Sequence, residues 1–267
     1  MDSRAIGVFD SGLGGLTSVR ELRKLLPNER IVFLGDTLRV PYGSRDRQTI
    51  RDFAEDDFRF LVSRDVKHII IACGTVSSNL SAEELAAVPV PVTGVITPAA
   101  IAAASASSNG IIGVIATSAA VRSGAYQDRI SSIDPSLITV SVPCPKLVPL
   151  IESEPSAEVD RALDEALREY LLTVKEAGAD TLILGCTHYP LIADRISSIL
   201  GDGVTLVDSG AETARAAAKT LTEADMLNDS KVSAVPEFYV TSDPQRFENS
   251  SEHFLGERLA KAVLTSI

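Results

Sequence analysis

The sequence predicts an α/β fold: two related, doubly wound halves with parallel-type sheets that face one another. Three observations carry this expectation. Short β-branched runs alternate with longer stretches of helical period, polar signals fall at the carboxyl ends of the predicted strands, and two of those signals look like internal copies. Strand followed by helix, repeated, implies parallel sheet, and such sheets gather functional residues where strands turn into helix N-termini.

The first strand, Ala5–Phe9, stops at Asp10-Ser11-Gly12 and leads into a helical stretch at Leu16–Leu26. Arg30–Phe33 comes next, ending near Gly35-Asp36-Thr37, with helical period over Thr49–Val62. His68–Ala72 is apolar and closes on Cys73-Gly74-Thr75. Val92–Val95 and Ile111–Ile115 follow, the latter closing on Ala116-Thr117-Ser118. Ile138–Val142 precedes a long helix at Ser156–Ala177, and Thr181–Leu184 ends in Gly185-Cys186-Thr187-His188. Val204–Val207 closes on Asp208-Ser209-Gly210 before a helix at Ala211–Leu221, and Glu237–Val240 is the last predicted strand.

Phe9-Asp10-Ser11-Gly12 resembles Val207-Asp208-Ser209-Gly210, and the run Ile69–Thr75 resembles Leu182–His188. These echoes imply two related halves facing one another. The two strand-end cysteines lie about one domain length apart. Thr97-Pro98 and the turn at Val207–Gly210 are the expected crossing points. One discontinuous domain then holds residues 1–97 and 208–267, with residues 98–207 inserted as the second.

Composition narrows the function classes. With 25 Lys plus Arg against 36 Asp plus Glu, the net charge of −11 argues against broad attraction to nucleic acid or anionic lipid. Trp is absent and aromatic residues make up 5%, which disfavours a base-stacking platform. The N-terminal MDSRAIGVFDSG lacks the basic and apolar blocks of a signal peptide, and the apolar region from Val88 to Val121 is broken by prolines. A cytoplasmic protein without membrane attachment is therefore expected. Three cysteines do not make a disulfide framework, and with no CxxC, no HExxH and three histidines a metal site is not expected.

Cys73 and Cys186 share one setting: an apolar strand, a small residue, the cysteine, then small or hydroxyl residues opening a helix. Helix-start N–H groups stabilise a thiolate, so this setting is expected to lower a thiol pKa. Cys144, between Pro143 and Pro145, opens no helix and reads as packing near a site wall. One activated cysteine suggests a thiol hydrolase. Two in quasi-equivalent places suggest a reaction that runs equally well from either face of a carbon, as racemisation at a Cα does. Sulfurs within about 3–3.5 Å of that carbon would stand roughly 6–7 Å apart. His188 is placed to assist Cys186, and Asp10 to assist Cys73. The glycine-rich run from Asp10 to Gly15 lacks the order of a nucleotide loop and reads as a cradle for carboxylate or ammonium.

DSGLGG at 10–15, GDTLRVPYGSR at 35–45, IIIAC at 69–73, CPKLVPLIE at 144–152, LGCTHYPL at 184–191 and VDSG at 207–210 occur in one order over nearly the whole chain. In them the chain resembles the glutamate racemase family of the Asp/Glu racemase superfamily. The resemblance implies racemisation of glutamate without pyridoxal phosphate or any other cofactor, supplying D-glutamate for peptidoglycan, on two pseudo-symmetric, doubly wound α/β domains with parallel-type sheets and the active site in the cleft between them. It implies Cys73 and Cys186 as the two bases, with Asp10, His188 and, more loosely, Glu152 assisting. Substrate contacts fall on Asp10, Ser11, Pro41, Tyr42, Gly43, Gly74, Thr75, Thr117, Thr187 and His188, through hydroxyls and backbone N–H groups. A homodimer is compatible with the family, and nucleic acid and membrane are not expected partners.

Two positions depart from the family pattern. Cys73-Gly74-Thr75 stands where the family reads Cys-Asn-Thr, removing an amide contact worth about 0.5–1.5 kcal/mol that Asn79 or water would have to replace. Ala119-Ala120 stands where the family carries Gly-Thr, removing a hydroxyl. These departures keep two alternatives open beside glutamate: an aspartate or other amino-acid racemase of the superfamily, and a racemase-like binding protein of weakened turnover. Weakness is expected on the Cys73 side.

Overall fold

A computed structural model describes residues 1–259 and 261–267. Among these, the strands are β1 (Ile6–Asp10), β2 (Ile31–Gly35), β3 (His68–Ile71), β4 (Val92–Gly94), β5 (Ile111–Ala116), β6 (Ile138–Pro143), β7 (Thr181–Gly185), β8 (Thr205–Asp208), β9 (Glu237–Val240) and β10 (Val263–Leu264). They form two sheets, ordered β10-β9-β2-β1-β3-β4 and β6-β5-β7-β8, with every pairing parallel.

Every residue of β1, β2, β3 and β7 is buried, because helices cover both faces of each sheet. Alternation along the strand then decides which helix each side chain meets. On one face of the first sheet, Ile6, Val8, Phe33 and Ile70 pack with Leu16, Val19 and Leu22 of helix Leu16–Leu25 and with Ala214, Ala217 and Leu221 of helix Ser209–Glu223. On the other face, Phe9, Leu34, Ile69 and Ile71 meet Ile50, Ala54, Phe58 and Leu61 of helix Arg47–Ser63. In the second sheet, Ile115, Leu182 and Leu184 pack on Leu163, Leu167 and Leu171 of helix Ala157–Glu176. Its opposite face presents Ile112, Val114 and Ile183 to Ala99, Ala100 and Ala103 of helix Ile96–Ala106. Each such aliphatic or aromatic side chain contributes roughly 1.5–3 kcal/mol by leaving water. Asp46, Ser156 and Asp208 cap the three longest helices, each accepting from a backbone N–H of the first turn.

The two sheets share one topology, since β2-β1-β3-β4 and β6-β5-β7-β8 follow the same order. β3 therefore corresponds to β7, and Cys73 to Cys186. The other expected echo is not a topological one. β1 corresponds to β5, so the counterpart of Asp10 is the turn beginning at Thr117, whereas Asp208 ends β8, the counterpart of β4. Asp208 accepts from the N–H groups of Gly210 and Ala211. Asp-Ser-Gly recurs because it suits strand-to-helix turns in general. β10, two residues long, carries too short a pattern to signal itself.

No helix among the described residues is long and apolar enough to cross a membrane. One buried charge ties remote segments together. Lys67, just before β3, is fully buried; its Nζ lies 2.6 Å from Oε2 of Glu29 and donates to the carbonyls of Asp2 and Met226, each at 2.7 Å. Lys67→Ala leaves Glu29 charged and unpaired, and a loss of about 3–5 kcal/mol is expected in urea denaturation.

Candidate active site

The carboxyl ends of β1, β3, β5 and β7 converge on one cavity of about 590 Å³ lying between the two sheets. Its wall includes each residue proposed from the sequence: Asp10, Ser11, Pro41, Tyr42, Gly43, Cys73, Gly74, Thr75, Thr117, Glu152, Cys186, Thr187 and His188. Direct bonds close the halves over it. Thr75 and Thr117 share a hydroxyl hydrogen bond of 2.9 Å, the Thr17 hydroxyl donates to the Thr187 carbonyl at 3.0 Å, and the Ala119 N–H donates to the Gly43 carbonyl at 3.1 Å.

On the first-sheet wall, Cys73 precedes helix Gly74–Ser77, and its thiol donates to the Ser11 hydroxyl at 3.5 Å. Burial and then the nearby Asp10 charge push this thiol up to about 12, outweighing the opposing bonds from Ser11 and from the Ser11 and Val76 amides. The expectation that the helix start lowers this pKa is corrected: a one-turn helix supplies too few aligned dipoles to offset desolvation beside a carboxylate. Asp10 is itself buried, which raises its pKa against the opposing pull of the His188 charge. Its Oδ2 accepts from the Gly12 N–H at 2.9 Å, while Oδ1 has no partner among the described residues.

The second-sheet wall differs. His188 Nδ1 lies 3.7 Å from the Cys186 sulfur, and Nε2 lies 2.8 Å from Oε1 of Glu152, making a continuous thiol–imidazole–carboxylate chain. Burial opposes charge on His188, but the hydrogen bonds and charges of Cys186 and Glu152 prevail and lift it to about 10. The His188 bond correspondingly lowers Glu152. The Phe254 ring backs the imidazole edge-on, with centroids 5.2 Å apart.

The segment carrying Pro41, Tyr42 and Gly43 is held from behind. The Tyr42 hydroxyl donates to Asp36, which also accepts from Thr241 at 2.8 Å and pairs with Arg39, and Arg39 reaches Asp56 at 2.8 Å. Tyr42 therefore meets the cavity as a wall, with its hydroxyl committed to Asp36. Asn79 does not stand in for a side chain at position 74, because its amide donates to the Thr75 carbonyl and the Ser78 hydroxyl and lies outside the cavity wall. Ala119 and Ala120 are also outside the wall. Cys144 does lie on the wall, as a buried thiol raised by desolvation and by Cys186.

Sequence reasoning missed Arg122, the one Lys or Arg on the wall, along with Ser44, Ser118, Val148 and Pro149. Arg122 follows Thr117 by five residues through helix Ser118–Ser123, a proximity that the strand-end signal at Thr117 foreshadowed. Among the described residues no cluster of three or more His, Cys, Asp or Glu side chains is grouped to hold a metal ion.

Residues 17–217 match the family model for Asp/Glu/Hydantoin racemase. The glutamate racemase of Lactiplantibacillus plantarum is 41% identical over 259 residues, covering 96% of this chain and 93% of that one. Among solved structures, a glutamate racemase isoform from Bacillus anthracis superposes with a TM-score of 0.95 at 33% identity, covering 100% of this chain and 99% of that one. The glutamate racemase of Francisella tularensis, solved in complex with D-glutamate, gives 0.89 at 37% identity, covering 100% and 98%. With its paired strand-end thiols, its shared sheet topology and full-length likeness to these enzymes, the chain belongs to the glutamate racemases of the Asp/Glu/hydantoin racemase family.

Proposed function

We propose that this protein interconverts L- and D-glutamate by two-base proton transfer at Cα, with Cys73 and Cys186 as the opposed acid/base groups. The observation that carries the reading is the placement of two thiols at equivalent strand ends on one cavity. Glutamate as substrate rests on the Francisella relative's complex with D-glutamate and on a wall suited to two carboxylates and an ammonium. Thr75, Thr117 and Thr187 offer hydroxyls, Ser11, Gly43 and Gly74 offer further polar or backbone groups, and the open Oδ1 of Asp10 accepts from the ammonium. Arg122 balances the carboxylates at the rim. D-glutamate then serves peptidoglycan synthesis. Free thiols as essential groups fit a cytoplasmic, reducing compartment. A homodimer is compatible with the family resemblance, and residues 1–97 with 208–267 are read as one domain around the first sheet, residues 98–207 as the other.

In one direction the Cys186 thiolate, beside the His188 imidazolium, takes the Cα proton and becomes a thiol. The electron pair left on carbon delocalises into the α-carboxylate. Cys73, held as a thiol by its raised pKa, gives its proton to the opposite face and becomes the thiolate. Exchange with solvent returns a proton to Cys73 and removes one from Cys186. The reverse reaction exchanges the roles.

Purified protein without added cofactor is expected to abolish the circular dichroism of either glutamate enantiomer. Activity on aspartate and none on glutamate would place the chain with the alternative substrate, and activity on neither would refute the catalytic reading. Cys73→Ser and Cys186→Ser are each expected to lose about 10²–10⁴-fold or more in kcat, and normal turnover by either variant would refute the two-base scheme.

The pH profile carries a second expectation. Glu152 raises the His188 pKa, so removing its charge lets that pKa fall. Imidazolium is then lost at lower pH. In Glu152→Gln the alkaline limb of kcat/KM is expected to shift to lower pH than in the wild type, as measured by initial rates from pH 6 to 11.

A further inference from the structure

Gly14 sits in the turn after β1, off the cavity wall, yet it packs against the thiol–imidazole–carboxylate chain of the second sheet. A Cβ built on it would lie 2.1 Å from the Thr187 hydroxyl and 2.7 Å from both Cε1 and Nδ1 of His188. These three nearest atoms all belong to side chains of the site. Thr17, buried and likewise off the wall, ties the same two pieces together. Its hydroxyl is one donor shared between the Gly14 carbonyl at 2.9 Å and the Thr187 carbonyl at 3.0 Å, and its N–H donates to the Gly14 carbonyl at 3.0 Å.

The imidazole is thereby enclosed. Glu152 holds Nε2, the Phe254 ring stands edge-on, and Gly14 closes the side toward the first sheet. Nδ1 has two neighbours, the Thr187 hydroxyl at 3.4 Å and the Cys186 sulfur at 3.7 Å. Contacts that long do not fix a ring by themselves, and the packing around it must do so. We infer that Gly14 and Thr17 are positioning residues: the turn after β1 presses on Thr187 and His188 from outside the cavity and so holds the imidazole against Cys186. This rests on the reading of His188 as the partner of the Cys186 thiolate. A glycine is required because the approach leaves no room for a Cβ. The contact crosses the seam, so a first-sheet turn sets the orientation of a second-sheet group. Proton transfer is sensitive on this scale, since a misplacement of about 1 Å costs up to about 10²-fold in rate.

In Gly14→Ala the atoms that must yield are the Thr187 hydroxyl and the imidazole, so the variant is expected to fold and to lose about 10–100-fold in kcat. Thr17→Val keeps the volume but removes the shared donor. It is expected to lose about 3–10-fold, with Thr17→Ser near the wild type. A readout independent of turnover is the NMR titration of the His188 Cε1–H signal in isotope-labelled protein, assigned by its absence from His188→Asn. The groups facing the ring are Cys186, Glu152 and Asp10, whose anions all favour imidazolium, while Arg246 of helix Pro244–Leu255 acts on Glu152. Displacement of the ring from these anions is expected to make His188 titrate at lower pH in Gly14→Ala and Thr17→Val than in the wild type and Thr17→Ser. An unchanged His188 titration or wild-type kcat in folded Gly14→Ala would overturn the inference. Should Gly14→Ala not fold, the Thr17 pair decides: Thr17→Val matching Thr17→Ser in kcat and titration overturns it. Loss of the fold in both Gly14→Ala and Thr17→Val would overturn it too, because the contact would then serve stability alone. A His188 signal that shifts as expected, in a protein whose wild type racemises no glutamate, leaves the positioning intact and refutes the catalytic reading.

Discussion

Racemisation by two bases, one removing a proton from one face of a carbon and the other returning one to the opposite face, requires two groups held on opposite sides of that carbon at a fixed distance. No single loop meets this constraint, and a flexible pair of loops meets it only some of the time. On the proposed two-base reading the repeated sheet order provides it, with β3 and β7 in corresponding places and a cysteine just beyond the end of each. Much of the rest serves that placement. The hydroxyl and backbone bonds across the seam hold the walls together, and the Asp36–Arg39–Tyr42 group braces the 41–43 segment from behind.

The symmetry of the backbone does not extend to the charges. Cys73 faces a buried carboxylate and is held as a thiol, while Cys186 faces an imidazole that Glu152 keeps protonated. Enantiomers have equal free energies, so this difference leaves the equilibrium untouched. In the proposed two-base scheme it acts on how kcat and KM divide between the two directions. The arrangement also keeps the site balanced, since the His188 cation lies within range of the Asp10 charge and offsets part of its burial cost.

What was legible in the sequence was local: β-branched runs, the turn chemistry after each, and the matching surroundings of Cys73 and Cys186. Those features depend on a few consecutive residues and survive folding unchanged. What was not legible depends on partners remote in the chain. The commitment of the Tyr42 hydroxyl to Asp36 depends on a fold around Thr241 that no local signal announces. The likeness of Asp10 to Asp208 was read as duplication, but only the sheet order shows that they end non-corresponding strands. The thiol pKa was read from its helix start, but burial against Asp10 decides it. Gly14 is the sharpest instance. Its neighbour His188 is remote in the chain, and nothing in the run from Asp10 to Gly15 announces a contact across the seam.

The most direct test of opposed bases follows the isotope. L-glutamate and D-glutamate are incubated separately with the enzyme in D₂O, quenched at early conversion, separated by chirality and examined for deuterium at Cα. Two bases on opposite faces predict that the product enantiomer carries deuterium while the recovered substrate stays largely protiated, in both directions. Deuterium appearing equally in recovered substrate and product, or product retaining the original proton, would mean that one group serves both faces and would contradict the paired roles of Cys73 and Cys186.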